Sequence, residues 1–258
     1  MFLRGTVSHA QAQGPREAQE DYLVHVPFTN SRGERGYLLG VMDGHGGGEV
    51  AKYCAETIPT LFDHEATDIW QELKNVVAQL DARTRLTRPG STLSLAYVNE
   101  TLSTVTTVVL GDSPIIVVDD KGTAHWSEEH NVRTNLHERK AAIMRGAIYL
   151  DGYIQVTEDG DGLQVSRALG DRTLSAILDR TPAVRNYCIN SSSLIIVGSD
   201  GLLGPDHKDP DDEILRALLA TATSGDAAAV LRWREEQELE DNTSVIMWKP
   251  RKWWNLFS

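Results

Sequence analysis

YLLGVMDGHGGG, Tyr37 to Gly48, passes from an apolar run to an acid, then to a histidine set among glycines. The apolar part is too short for an amphipathic helix and is bounded by turn residues, so it reads as a buried strand that delivers Asp43 at its C-terminal end. SSLIIVGSDG, Ser192 to Gly201, repeats the theme and delivers Asp200. Working outward, Val50, Cys54, Ile58 and Leu61 recur at helical spacing after Glu49. Ile69, Leu73, Val76, Val77 and Leu80 do the same after Asp68, a residue type suited to an N-cap. From Gly90 the character changes to β-branched runs, STLSLAYV, TLSTVTTVVL and PIIVVD, separated by turn residues in the manner of an antiparallel meander. Asn131 to Arg145 reads as a helix, further helices start at Asp211 and Asp226, and TSVIMW forms a last strand.

Strands in two groups, helices in two pairs and no βαβ alternation give an α+β fold: an antiparallel β-sandwich flanked by helix pairs, four layers in the order α-β-β-α. Residues 1–248 are expected to form one domain, and residues 249–258, which include KPRKWWNLFS, a basic and aromatic tail. The tail reads as a packed or frayed terminus in preference to a membrane contact.

The chain has 258 residues, of which 41% are hydrophobic and 24% charged, in the range of globular proteins. Its 37 acids and 25 bases leave a formal charge of -12, which repels phosphate backbones and argues against nucleic acid as a partner. Two cysteines in unrelated contexts, Cys54 and Cys188, imply neither a disulfide framework nor a zinc cluster and are read as buried apolar fillers. The first residues lack the apolar core of a secretory signal and no run is long enough to span a bilayer, so a cytoplasmic protein is expected.

The acids carry the chemistry. Glu20, Asp21, Asp43, Asp112, Asp200 and Asp241 each fall where a strand starts or stops. A sandwich brings several strand ends to one rim, where converging carboxylates repel one another unless cations neutralise them. An all-oxygen set suits a hard ion such as Mg²⁺ or Mn²⁺. Two ions sharing a carboxylate can acidify a water and supply hydroxide at neutral pH. The glycines from Gly44 let main chain approach an ion. His45 is placed to protonate a departing alkoxide, and Arg16, four residues before Glu20, can grip two oxygens of a phosphate. Together these residues describe phosphomonoester hydrolysis.

Seven motifs stand in the order of one known family. They are RxxxED from Arg16 to Asp21, GVMDGHGG from Gly40 to Gly47, GST from Gly90 to Thr92 and GDS from Gly111 to Ser113. VSRALGD from Val165 to Asp171, SDG from Ser199 to Gly201 and EDNTSV from Glu240 to Val245 complete the set. The chain resembles the metal-dependent type 2C (PPM) protein serine/threonine phosphatases. The resemblance implies that Asp43 bridges two Mn²⁺ or Mg²⁺ ions, with the Gly44 carbonyl, Glu20, Asp21, Asp200 and Asp241 completing their shells directly or through water. It places Asp112 at a weaker third metal site, makes Arg16 the phosphate ligand and His45 the general acid, and gives Asp171 a supporting role. The implied reaction is hydrolysis of phosphoserine or phosphothreonine on a protein by attack of hydroxide held at the dinuclear centre, by a monomeric enzyme. Two departures stand out: Pro114 replaces a usual arginine, and Glu129 with His130 replaces a usual Asp-His pair. The stretch from Asp171 to Asp200 is short for the family, and it and residues 141–162 are expected to form a flap beside the active site.

Two other functions compete: a non-catalytic binding module on the same scaffold, and a phosphatase of a small phosphorylated metabolite. An esterase reading of HGGG fails because no GxSxG elbow occurs, and neither cysteine has the arginine six residues on that a cysteine phosphatase requires.

Overall fold

The computed structural model describes residues 3–204 and 212–251. The chain begins with strands β1 (Gly5–Ala12), β2 (Asp21–Thr29) and β3 (Arg35–His45), then helices α1 (Glu49–Leu61) and α2 (Ile69–Thr84). β4 (Gly90–Ser91), β5 (Leu93–Asn99), β6 (Thr104–Leu110), β7 (Ile115–Val118) and β8 (Ala124–Trp126) follow. Helix α3 (Leu136–Met144) leads into a small hairpin, β9 (Ile148–Leu150) and β10 (Tyr153–Gln155), then β11 (Leu169–Gly170), β12 (Ala183–Cys188) and β13 (Leu194–Gly198). α4 (Asp212–Ser224), α5 (Ala227–Glu235) and β14 (Thr243–Pro250) close the fold.

The named strand pairs are antiparallel. One sheet runs β1-β14-β13-β7-β8; the other runs β11-β4-β3-β5-β6-β12, with β2 paired along β3. The period of two explains why the decisive run is apolar throughout. In β3, Leu38 and Met42 face α1 and α2 with Cys54, Ile58, Leu73 and Leu80, whereas Leu39 and Val41 face the opposite sheet with Ile195, Val197, Ile246 and Trp248. β13 and β14 repeat this: Ile196, Val245 and Met247 turn to Leu218 and Val230 of α4 and α5. A strand buried on both faces shows no alternation. Each such side chain contributes about 1.5–3 kcal/mol on burial. The expected four layers are therefore present.

The caps agree with the sequence where side-chain chemistry sets them. Asp68 accepts from Gln71 N–H at the start of α2, and Asp226 from Ala229 N–H at the start of α5. Asp211 lies outside the described residues.

Four expectations need correction. α3 starts at Leu136, not Asn131, because the Asn135 side chain caps it by accepting from His137 and Glu138 N–H, while Asn131 pairs with Val165. The three β-branched runs are not one meander: β5 and β6 pair, but β7 crosses to the other sheet beside β13. The crossing uses Gly111 at φ +115, where an added Cβ would lie 2.7 Å from Thr92 Cβ. Cys54 is buried, and burial pushes its thiol up to about 12, but Cys188 is exposed at the end of β12. Lastly, β14 carries on through Lys249 and Pro250, and Arg251 N–H donates to Arg4 C=O, so these residues continue the sheet; Trp253 and Trp254 lie outside the described residues.

Candidate active site

The ends of β2, β3, β6, β13 and β14 meet on one rim, as the placement of acids required. There a cleft of about 690 Å³ is lined by Arg16, Glu20, Asp43, Gly44, His45, Asp112, Asp200 and Asp241. Asp21 stands behind it, 2% exposed, directly opposite Asp43 in the β2–β3 register. Like charges facing one another across a ladder are destabilising. A slightly larger cleft, about 750 Å³ near Ser193, Thr223 and Lys249, is lined by no carboxylate side chain among the described residues.

The electrostatics follow from this crowding. Burial, then Asp200, Asp21 and Asp112, push the Asp43 carboxyl well above the usual range. Asp21 is pushed up to about 7 by burial, against opposing hydrogen bonds from Ser244 and Ser199, with Asp200 and Asp241 adding to the rise. Asp241 is raised by burial and Asp200, although Asn242 N–H and Arg16 pull it back. Asp21 Oδ2 accepts from Ser244 Oγ at 2.7 Å, but its Oδ1 is buried with no partner. A cluster of hard oxygen donors carrying an unmet negative demand fits a divalent cation such as Mg²⁺ or Mn²⁺.

The non-acidic residues in and around the motifs prove to be scaffolding. Thr92 holds Asp43 from both sides, giving its N–H to Asp43 C=O at 2.9 Å and accepting Asp43 N–H on Oγ1 at 3.1 Å. Thr92 Oγ1 in turn meets Ser113 Oγ at 2.6 Å, tying GST to GDS. Asp112 Oδ2 accepts from Asn131 Nδ2 at 2.8 Å. Asn242 staples the Arg16–Asp21 segment: its Oδ1 accepts Glu20 N–H at 2.8 Å and its amide donates to Gln13 and Ala18 C=O. These clamps were missed in the sequence because Thr92 and Asn242 have no chemistry of their own to advertise; only their place inside motifs hinted at them.

His45 Nε2 and Asp171 Oδ2 lie 2.8 Å apart. The pair sits over the Gly90 backbone, where an added Cβ would collide with both atoms, which accounts for the glycine of GST. Arg16 pairs with Asp241 and also reaches Glu240 C=O. The structure thus brings all the anticipated residues together, with Asp21 one layer back and Arg16 held by a carboxylate.

In a second cluster, Glu128, His130 and Glu138, the potential ligand atoms lie within 4.8 Å of one another. It does not suit a cation. His130 Nδ1 accepts Gly111 N–H at 3.0 Å, and burial holds the ring neutral by pushing it down to about 4, so the proton occupies Nε2 and no lone pair remains there. Glu138 is already occupied by Arg167 and by Ser166 Oγ.

The protein phosphatase 2C family profile matches residues 6–204, three quarters of the chain, and the chain belongs to that family. A probable protein phosphatase 2C 11 from Arabidopsis thaliana is 26% identical over 209 residues, covering 78% of this chain and 55% of the relative. A probable protein phosphatase 2C 59 from Oryza sativa subsp. japonica is 28% identical over 206 residues, covering 75% and 61%. The chain thus spans less than two thirds of these relatives. Among solved structures, a phosphatase from a pathogenic strain of Toxoplasma gondii superposes with a TM-score of 0.76 at 20% identity, covering 97% of this chain and 94% of that one. The catalytic domain of the serine threonine protein phosphatase PstP, in complex with 2 manganese ions, gives 0.62 at 18% identity, covering 98% and 100%. At these identities the likeness shows the fold. No helix among the described residues is long and apolar enough to cross a membrane.

Proposed function

We propose that this chain hydrolyses phosphoserine and phosphothreonine on proteins with two Mn²⁺ or Mg²⁺ ions. The observation that carries the reading is the convergence of Glu20, Asp43, Asp112, Asp200 and Asp241 on one cleft, with Asp21 behind them. The manganese in the PstP structure supports it. Asp43, Asp200, Asp241, Glu20, Asp21 and the Gly44 carbonyl would hold the two ions, and Asp112 a third. When bound, such ions acidify water into a nucleophile and offset phosphate charge.

The remaining work belongs to the chain. Arg16 binds and orients the phosphate, releasing Asp241 as it does so; a guanidinium matches phosphate geometry bidentately. His45 gives a proton to the leaving serine or threonine oxygen. With Nε2–H donated to Asp171, the proton transferred is the Nδ1–H of the imidazolium, and Asp171 acts as a positioning residue by fixing the ring and stabilising its charged form. Asp171→Asn is expected to slow phosphothreonine peptide hydrolysis about tenfold while leaving aryl phosphate turnover nearly intact. Equal losses on both would mark a merely structural role.

The direct test is activity of the purified chain, in millimolar Mn²⁺, on p-nitrophenyl phosphate and a phosphothreonine peptide; inactivity on both refutes the proposal. Hydrolysis of small phosphate esters alone would favour the metabolite reading. Stability supplies a second check. A carboxyl whose folded pKa exceeds its unfolded one costs stability as pH rises through the interval, here from the ordinary value of 3.8 to about 7 for Asp21. Cations binding the ionised cluster offset that cost. Mn²⁺ is therefore expected to raise Tm more at pH 8 than at pH 5, where Asp21 carries its own proton; a shift independent of pH would contradict this.

A further inference from the structure

Seven of the ten large apolar side chains exposed among the described residues fall between Leu136 and Val156, on α3 and the β9–β10 hairpin. The hairpin has two unlike faces. Tyr149 and Ile154, opposite one another, turn inward to a small core with Val132, Ala142 and Val165, and the Arg139 guanidinium lies 4.2 Å from the Tyr149 ring centre. Ile148, Leu150 and Tyr153 stand on the outward face, with Leu150 directly opposite Tyr153. An apolar strip of this kind marks an interaction surface.

The strip continues into the cleft. Tyr153 belongs to both, and Gln164 and Arg133 line the cleft beside it. Gln164 Nε2 donates to Tyr153 Oη at 2.9 Å and Arg133 Nη1 donates to Gln164 Oε1 at 3.4 Å, so the three side chains form one chain along the wall. The Arg133 stem passes over Gly152 in the hairpin turn, 3.2 Å from where a Cβ would stand. The two arginines of the cleft differ: Arg16 is paired with Asp241, whereas the side-chain partner of Arg133 is the neutral Gln164 amide.

We propose that the outward face of the β9–β10 hairpin and Arg133 together dock the polypeptide bearing the phosphoresidue, selecting a bulky apolar side chain on one side and an acidic one near Arg133. This rests on the phosphatase reading and specifies its substrate. Two observations single out that occupant: the apolar face is continuous with the cleft through Tyr153, and Arg133 adds a cation at the junction on a chain of net charge -12.

The test uses labelled peptides with a non-hydrolysable phosphonate in place of phosphothreonine, flanked by Leu or Ala and by Glu or Ala, and reads binding to the full chain in Mn²⁺ by fluorescence anisotropy. Leu is expected to tighten binding about tenfold and Glu about threefold. Ile148→Ser with Leu150→Ser should erase the Leu preference and keep the Glu preference; Arg133→Gln should do the reverse, and Arg133→Lys should retain it. Equal binding of all four peptides, or preferences that survive these exposed substitutions, overturns the proposal. So does a change in sedimentation of the Ser variant, which would make the strip a contact between copies of the chain. Turnover of p-nitrophenyl phosphate by the unaltered protein reports separately on the phosphatase reading.

Discussion

Asp43→Asn is expected to lower phosphothreonine peptide turnover by about 10³-fold, the equivalent of several kcal/mol of transition-state stabilisation. The size follows from position. Asp43 faces Asp21 across the β2–β3 ladder and is influenced by Asp200 and Asp112 as well, so it is the acid through which the cluster is connected. An amide in its place keeps the shape and the Thr92 clamp, which engages only the Asp43 backbone, but removes the shared negative charge. The folded state should not suffer, because a buried, crowded carboxylate is replaced by a neutral group. Circular dichroism and Tm without added metal would show an intact or more stable protein beside lost activity. Unfolding of the variant, or activity within tenfold of the original, would contradict the assignment.

His45→Ala has the second-largest expected effect, and its signature is selective. Loss of a general acid slows a reaction by about 10²–10⁴-fold when the leaving oxygen needs a proton, as serine and threonine alkoxides do. Nitrophenolate leaves without one, so p-nitrophenyl phosphate should be affected far less. The comparison is made within one variant, which cancels errors in active concentration. If both substrates lost activity equally, His45 would be a binding or folding residue and the Asp171 contact would lose its proposed meaning.

How far these residues could be read from the chain depended on how each announces itself. Asp43 and Asp200 were legible because a strand buried on both faces is a continuous apolar run, and an acid ending such a run is conspicuous. Asp68 was legible as a cap, and Asp226 as the start of a helix, because a carboxylate before a helical pattern has one common use. The crossing at Gly111 was not, since β-branched runs look alike in either sheet and only the left-handed glycine against Thr92 redirects the chain. The start of α3 was misplaced because Asn131 and Asn135 are the same residue type. One holds Asp112 and the other caps the helix, a difference made by tertiary contacts. Cys188 was misread for a similar reason: a strand's last residue can face the core or solvent, and local sequence does not say which.

The docking strip was hidden for a further reason. Ile148, Leu150 and Tyr153 fall in the stretch read only as a flap, and the pairing of β9 with β10 is what shows that they share the face turned away from the core that holds Tyr149 and Ile154.

The central claim is that the carboxylates at the sandwich rim form one cation-binding unit. Calorimetric titration of the metal-free chain with Mn²⁺ tests it most directly, run beside Asp43→Asn. Two tightly bound ions per chain are expected, with weaker binding attributable to a third, and the substitution should abolish the paired uptake. No divalent binding by the unaltered chain, or an undiminished pair in Asp43→Asn, would contradict it.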